Sequence, residues 1–476
     1  LSTSQFSSTP TVTRFFKVIK SENDGREYRY LVLPNSMRVL LVSDMTVEKS
    51  AVALNVNIGN YQNPKQRPGF AHFLEHTLFL GSVKYPEVGS FQQFISTHGG
   101  ENNAYTADEN TNYYFDVDSG ALDPALDRFA QFFIAPTFDA DYMEREKNAV
   151  NTEYLARLND DVSREKDVYR TLFNTEHPAA NFPVGKLETL ADAEGSTVRD
   201  ELIAFYQNFY SANLMTLSVV GNHRLDDLQK MVESRFSQVR NLNIAIVDKY
   251  PNFFTENFLP ASVSVKPLKE MRKLTFTFPM PGYSSRYQSK PVEFLSHLIG
   301  HEGAGSILAL LKSLGWAESI QVSPIFKNRQ QSLFHISIDL TKAGAKSKDQ
   351  ITSVVFDYLK IVSSRGIADW RFSELKQMAE LNFRYGEKLS VVDTANEMAQ
   401  AMQDYSPQDV LKGPYDYHHF NENIIKDALG HLSKSNALIT FVAPEANTTA
   451  TSNSYQVPYN HTAGIPAILD LKAVYH

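Results

Sequence analysis

His72-Phe73-Leu74-Glu75-His76 is the stretch on which the reading of this chain turns. Pro68 can open a helix ahead of it and Gly81 can close one behind it, which predicts roughly three turns between them. On such a helix His72 and His76 lie one turn apart on the same face, so both imidazoles can reach one metal ion. Glu75, three residues after His72, falls beside them, close enough to handle a proton without being a ligand. A catalytic zinc also needs a third protein ligand and a fourth position left to water.

Residues 140–158 supply candidates for that third ligand. Met143, Val150, Tyr154 and Leu158 recur at helical spacing among strong helix formers, and Glu146 and Glu153 share one face two turns apart. Glutamates on a helix are usually solvated, so spacing alone does not select one.

The five-residue motif spells H-x-x-E-H, the reverse of the H-E-x-x-H zinc-peptidase pattern. Asn148-Ala149-Val150-Asn151-Thr152-Glu153 reads as N-A-V-x-x-E downstream of it. With Glu75-His76-Thr77-Leu78-Phe79-Leu80-Gly81-Ser82, Lys84-Tyr85-Pro86 and Thr111-Asn112-Tyr113-Tyr114-Phe115-Asp116-Val117, these segments resemble the inverzincin metallopeptidase family of pitrilysin and insulin-degrading enzyme. The resemblance runs from about residue 15 to beyond 400. It implies one Zn2+ per chain held by His72, His76 and Glu153, with Glu75 as the catalytic proton acceptor. It also implies that Glu146, the second catalytic-site glutamate, orients a ligating histidine. Within Gly99-Gly100-Glu101-Asn102-Asn103-Ala104-Tyr105-Thr106 it implies an edge strand that pairs with extended substrate: Asn103 and Ala104 for backbone contacts, Tyr105 for a pocket wall. Gly300 to Ser306 takes the place where relatives anchor a substrate's N-terminal end.

Composition sets outer limits. A chain of 476 residues has material for two or more cores. Its 21% charged and 42% apolar residues are those of a soluble globular protein. No apolar run approaches the length of a membrane span, and no signal peptide is expected within these residues. The polar start, Leu1 to Pro10, predicts disorder over residues 1–14 and suits a mature exported chain. The expected compartment is therefore periplasmic or secreted, with the cytoplasm as alternative. Cysteine is absent, which excludes a thiol nucleophile and a disulfide frame. A net charge of −8 argues against nucleic-acid binding. Gly303-Ala304-Gly305 is too short for a phosphate loop and lacks a following Lys-Ser or Lys-Thr.

The second half reads as a degraded copy of the first. His297-Leu298-Ile299-Gly300-His301 aligns with His72–His76, with glycine at the proton-acceptor position. Ala140-Asp141-Tyr142 with Glu146 recurs as Ala368-Asp369-Trp370 with Glu374, which sets Leu381 opposite Glu153. Asn213–Leu217 corresponds to Asn436–Thr440, each the start of a late strand. Two histidines alone make a poor catalytic zinc site, so no metal is expected in the second copy. Alternating strands such as Ala51–Ile58 beside amphipathic helices give an α+β class, and the resemblance implies two homologous domains, each a mainly antiparallel sheet with helices packed on it. The expected boundaries are a disordered segment 1–14, a zinc-binding domain 15–245, a linker 246–262, a homologous domain 263–450 and a C-terminal arm or linker 451–476.

The expected activity is zinc-dependent endopeptidase action on peptides and small flexible polypeptides inside a closed chamber. A second half, another subunit or a homodimer would close that chamber, since the family's longer members have four such domains. A non-catalytic peptide-binding scaffold and a precursor-processing peptidase are the alternatives. No nucleic acid and no membrane span enter the expected partners.

Overall fold

The structure, a computed structural model, describes residues 12–247 and 249–470. The expectation of disorder over 1–14 falls, for residues 1–11, outside the described residues; Arg14 opens the first strand. In chain order the first half supplies β1 (Arg14–Phe16), β2 (Glu27–Val32), β3 (Arg38–Ser43), β4 (Lys49–Val56), α1 (Phe70–Thr77), α2 (Ser90–Thr97), β5 (Asn102–Thr106) and β6 (Thr111–Asp118). It continues with α3 (Leu122–Ile134), α4 (Met143–Arg157), α5 (Asp161–Leu172), α6 (Val198–Phe209), β7 (Met215–Gly221) and α7 (Leu225–Phe236). The second half supplies β8 (Ala261–Val265), β9 (Lys273–Pro281), α8 (Pro291–Ile299), α9 (Ile307–Ser313), β10 (Ala317–Ile325), β11 (Gln331–Leu340), α10 (Lys342–Lys346) and α11 (Lys348–Arg365). After these come α12 (Asp369–Tyr385), α13 (Val391–Asp404), α14 (Glu422–Gly430), β12 (Leu438–Val442), β13 (Ala450–Thr451) and β14 (Pro458–Ala463).

Each half builds one seven-stranded sheet. The orders are β1-β2-β3-β7-β4-β6-β5 and β13-β14-β8-β12-β9-β11-β10. The β3–β7 and β12–β8 pairs are parallel and all other pairs antiparallel, and the two parallel pairs occupy the same place in the order. The internal copy read from sequence is therefore present as a repeated α+β topology. Only the strands beyond the parallel pair differ in origin. In the first sheet they precede β3 in the chain, whereas in the second they come from the far C-terminal side.

β4 is buried on both faces, which explains its nearly continuous apolar run. One face meets helices α1, α2, α3, α6 and α7 over a core that includes Phe91, Phe115, Phe129 and Phe132. Phe91 and Phe132 stack edge to face at 4.9 Å, and each buried aromatic contributes about 1.5–3 kcal/mol by leaving water. The other face is covered by α13, whose Ala395, Ala399 and Met402 pack on Tyr30, Leu40, Val42 and Ala53.

By internal packing the chain forms two compact units: residues 12–154, 183–247 and 381–414 in one, and 155–182, 249–380 and 415–470 in the other. Three segments thus lie elsewhere than the sequence boundaries put them. Residues 155–182 belong to the second unit, because the polar groups of α5 find their partners there. Residues 381–414 belong to the first, because the small apolar face of α13 covers the outside of its sheet. Residues 458–463 are a strand rather than an arm, since β14 pairs with the edge of β8 that would otherwise be open. Between Phe236 and Ala261 the described residues form neither helix nor strand.

Two buried histidines give the second unit a pH dependence. Burial pushes His177 down to about 4 and His335 down to about 3, the latter with help from the Lys273 charge. Both folded values lie below the unfolded value, so the unfolded chain binds more protons as pH falls. Stability from this source is complete above about pH 6.5 and is lost from there toward about pH 3. The urea midpoint is expected to be lower at pH 5 than at pH 7.5, and His335→Phe should reduce the pH slope by about one proton.

Candidate metal centre

α1 carries the motif and is almost wholly buried. Phe70, Ala71, Phe73 and Leu74 face the core at 1% exposure or less, which leaves His72, Glu75 and His76 on the remaining face. The helix starts at Gly69, whose left-handed conformation (φ 86°) ends the preceding loop. Asn63 Oδ1 accepts the Ala71 N–H at 2.7 Å and so caps one otherwise orphaned donor. Gly69 also lies directly against Gly185, which the returning chain brings alongside.

The ring orientations follow from what each Nδ1 meets. His72 Nδ1 lies 2.7 Å from the Val184 carbonyl, which can only accept, so this nitrogen carries the proton. His76 Nδ1 lies 3.3 Å from Glu146 Oε2 and donates to that carboxylate. Both Nε2 atoms therefore turn inward, and they are 3.3 Å apart. α4 lays Glu153 across them, with Oε2 3.2 Å from His72 Nε2 and Oε1 3.2 Å from His76 Nε2.

These spacings fit a cation. Ligand atoms about 2.0–2.1 Å from a tetrahedral zinc ion are about 3.3–3.4 Å from each other. The donor set, two imidazoles and a carboxylate, is that of a catalytic zinc site with one open position. Glu75 also approaches, with one ligand atom each of His72, Glu75 and His76 within 4.8 Å of the others. Of the two carboxylates, Glu153 is the better placed ligand, since it touches both Nε2 atoms. One oxygen of Glu75 is engaged instead by Thr106, whose Oγ1 donates to Oε2 at 2.6 Å.

The electrostatics separate the two. Burial raises the Glu75 carboxyl above its ordinary value against the opposing pull of His72, the Thr106 hydrogen bond and His76. Hydrogen bonds from His72 and His76 hold Glu153 far below the carboxylate range. For His76, burial opposes charge, but Glu146 and Glu153 outweigh it and raise the group to about 10. The pocket thus stabilises positive charge at this point, whether a proton or a cation carries it.

The structure brings His72, Glu75, His76, Glu146 and Glu153 together, and it places Asn103, Ala104 and Tyr105 on β5. Among the described residues β5 is the outer strand of the first sheet, paired only with β6. Ala104 packs toward the core and Thr106 reaches Glu75, so by strand alternation Asn103 and Tyr105 lie on the opposite face. Tyr105 is 41% exposed and faces away from Glu75. Ala104 N–H donates to Asn103 Oδ1 at 2.8 Å. Thr106 and Val184 were missed; alternation from Ala104 could have found the first, whereas a backbone carbonyl leaves no mark in sequence. Of the Gly300 to Ser306 stretch, Ser306 caps α9 by accepting the Ala309 N–H at 3.0 Å. His297 is exposed on α8, and His301 follows the helix end at Ile299. Leu381 is exposed on α12.

Comparison with known proteins agrees along the chain. Residues 38–178 match Insulinase (Peptidase family M16), residues 197–379 the peptidase M16 inactive domain, and residues 383–471 the middle or third domain of peptidase M16. Insulin-degrading enzyme-like 1, peroxisomal, of Arabidopsis thaliana is 39% identical, over 88% of this chain and 44% of that protein. The A-factor-processing enzyme of Saccharomyces cerevisiae is 35% identical over 93% and 43%, and human insulin-degrading enzyme 38% over 94% and 44%. The chain spans less than half the length of these curated relatives. The crystal structure of pitrilysin superposes with a TM-score of 0.91 at 31% identity, covering 95% of this chain and 49% of that one. A protease from Helicobacter pylori, at 19% identity and a TM-score of 0.70, shares the fold over 88% of this chain and all of its own.

The glycine crossing is testable. A Cβ on Gly69 would lie 2.3 Å from Gly185 Cα, whereas one on Gly89, also left-handed, meets nothing within 4 Å. Gly69→Ala is expected to cost about 1–3 kcal/mol more than Gly89→Ala in urea unfolding.

Proposed function

The chain belongs to peptidase family M16, the insulinase family, and from that premise we propose that it is the zinc-bearing part of an endopeptidase acting on peptides and small flexible polypeptides. The observation that carries the reading is the mutual 3.2–3.3 Å spacing of His72 Nε2, His76 Nε2 and the Glu153 carboxylate. These three residues would hold Zn2+, with Glu146 fixing the His76 ring and the Val184 carbonyl fixing His72. A zinc ion bound there supplies Lewis acidity, lowering the pKa of a coordinated water from about 15.7 to about 7 and polarising a carbonyl.

The chain's own residues divide the remaining work. Glu75 accepts the proton of the attacking water and delivers it to the leaving amine nitrogen, and its raised pKa brings it nearer the value such a relay needs. Thr106 holds one Glu75 oxygen and leaves the other for the proton. β5 offers its open edge to an extended peptide, whose backbone would pair with it whatever its sequence. The Ala104 N–H becomes available to such a strand when Asn103 Oδ1 releases it. Thr106 lies on this same strand, so a peptide paired with β5 would run beside the group that holds Glu75.

An open site excludes water poorly and holds a transition state loosely. The shortness of this chain beside its relatives supports the view that a second half or another subunit closes the chamber. Addition of that half is expected to raise peptidase activity; equal turnover with and without it refutes the closure. Glu75→Gln is expected to retain zinc by metal analysis while peptide turnover falls by about 10²–10⁴-fold. A zinc-replete Glu75→Gln protein with wild-type turnover rules out the assigned proton relay.

A further inference from the structure

Arg67 stands at the lead-in to α1, two residues ahead of Gly69, and is buried. Its guanidinium serves three partners at once. Nε and Nη2 form a fork on Glu201 of α6, at 2.6 Å to Oε2 and 2.7 Å to Oε1. Nη1 donates to the Ala191 carbonyl at 2.6 Å and to the Thr189 carbonyl at 3.3 Å. The hydrogen bonds from Arg67 hold the Glu201 carboxyl below its ordinary value. α6 is a firm anchor, because its Val198, Leu202 and Phe205 belong to the first core. A planar group with donors in fixed directions suits a carboxylate and two carbonyls together, which a lysine ammonium does not.

The two carbonyls belong to a short turn that closes on itself. Lys186 N–H donates to Thr189 Oγ1 at 3.0 Å. The N–H groups of Thr189 and Leu190 donate to the Lys186 carbonyl at 3.0 and 3.1 Å, and Leu190 is sealed in the core.

This turn lies between the two helices that carry the candidate ligands. On the α1 side the Val184 carbonyl meets His72 Nδ1, and Gly185 seats against Gly69. On the α4 side Leu187 N–H donates at 3.2 Å to Oδ1 of Asn151, two residues before Glu153. A Cβ on Gly185 would come within 3.3 Å of Val150 Cγ1 on that helix. Residues 184–191 are therefore a wedge with one side on His72 and the other on the helix of Glu153. Arg67 ties the far end of the wedge to α1 and α6. All of these groups lie in the first unit.

We propose that Arg67 is a positioning residue of the metal centre: it fixes the 184–191 turn between α1 and α4, which sets the His72 ring and the approach of Glu153, and with them the zinc affinity. The proposal rests on the zinc reading above. Metal–ligand distances tolerate only about 0.2 Å, so a small shift of the turn weakens the site. Without the guanidinium, Glu201 and the carbonyls of Thr189 and Ala191 lose their donor, and nothing but the turn's own bonds keeps Val184 in place. Arg67 acts through Val184 and Asn151 rather than on the metal.

The test uses four variants of the whole chain. It measures Zn2+ affinity by chelator competition, the visible spectrum of Co2+ bound in place of zinc, and thermal stability. Arg67→Met removes the donors at similar length, Arg67→Lys keeps the charge without the fork, and Glu153→Gln removes a ligand. Met402→Ala opens a void on the other face of the same sheet, where α13 packs. Arg67→Met is expected to weaken zinc about 10-fold and to alter the Co2+ spectrum, with Arg67→Lys between it and wild type. Met402→Ala is expected to lower the unfolding temperature with affinity and spectrum unchanged. If Arg67→Met does not fold, Arg67→Lys carries the test. Affinities within twofold of wild type for every folded Arg67 variant, or equal weakening by Met402→Ala, overturn the assignment of Arg67 alone. Zinc binding indifferent to Glu153→Gln overturns the zinc reading, and this role with it.

Discussion

Two imidazole nitrogens 3.3 Å apart, each with its proton committed to the far side of its ring, present lone pairs to one another. That arrangement is repulsive unless positive charge lies between them, and Glu153 spans both to reinforce the demand. Much of the first unit serves to hold this constraint. The core side of α1 is closed by Phe70, Phe73 and Leu74, so the helix cannot roll. Its first turn is pinned by Asn63 and by the glycine contact, and its rings are locked by a carbonyl and a carboxylate from two other segments.

The same pocket drives two glutamates apart. Glu75 is buried where its charge is unwelcome, and Glu153 lies against two imidazoles whose positive charge, borne by a proton or a cation, favours its own. One carboxylate is thereby suited to taking a proton and the other to keeping none, a division set by surroundings rather than by residue type. The link from Glu75 through Thr106 to an outer strand carries this division to the place where a peptide would lie.

How much of this was legible follows from what each residue contributes. His72, Glu75 and His76 were readable because helical spacing converts directly into a shared face, Glu153 because a family motif singled it out, and Glu146 through the family resemblance alone. The repeated topology was readable in its order of short matches. Thr106 was hidden behind its neighbours: the resemblance pointed to Asn103, Ala104 and Tyr105, and only strand alternation from Ala104 puts Thr106 beside Glu75. Val184 acts through its backbone, which every residue shares. The passage of 155–182 and 381–414 between units was illegible because it depends on which sheet face offers partners to α5 or α13, and neither helix announces its partner in its own pattern.

Those two passages are reciprocal. A helix from the first half of the sequence, α5, meets Thr277 and Thr440 on the second sheet, and a helix from the second half, α13, covers the outside of the first. The duplication has thus become an exchange of limbs frozen within a single polypeptide. Neither repeat is a cassette that recombination could lift out whole. A cut at the midpoint of the sequence strips each sheet of a covering helix, so the ancestral unit survives as a pattern but no longer as a separable part.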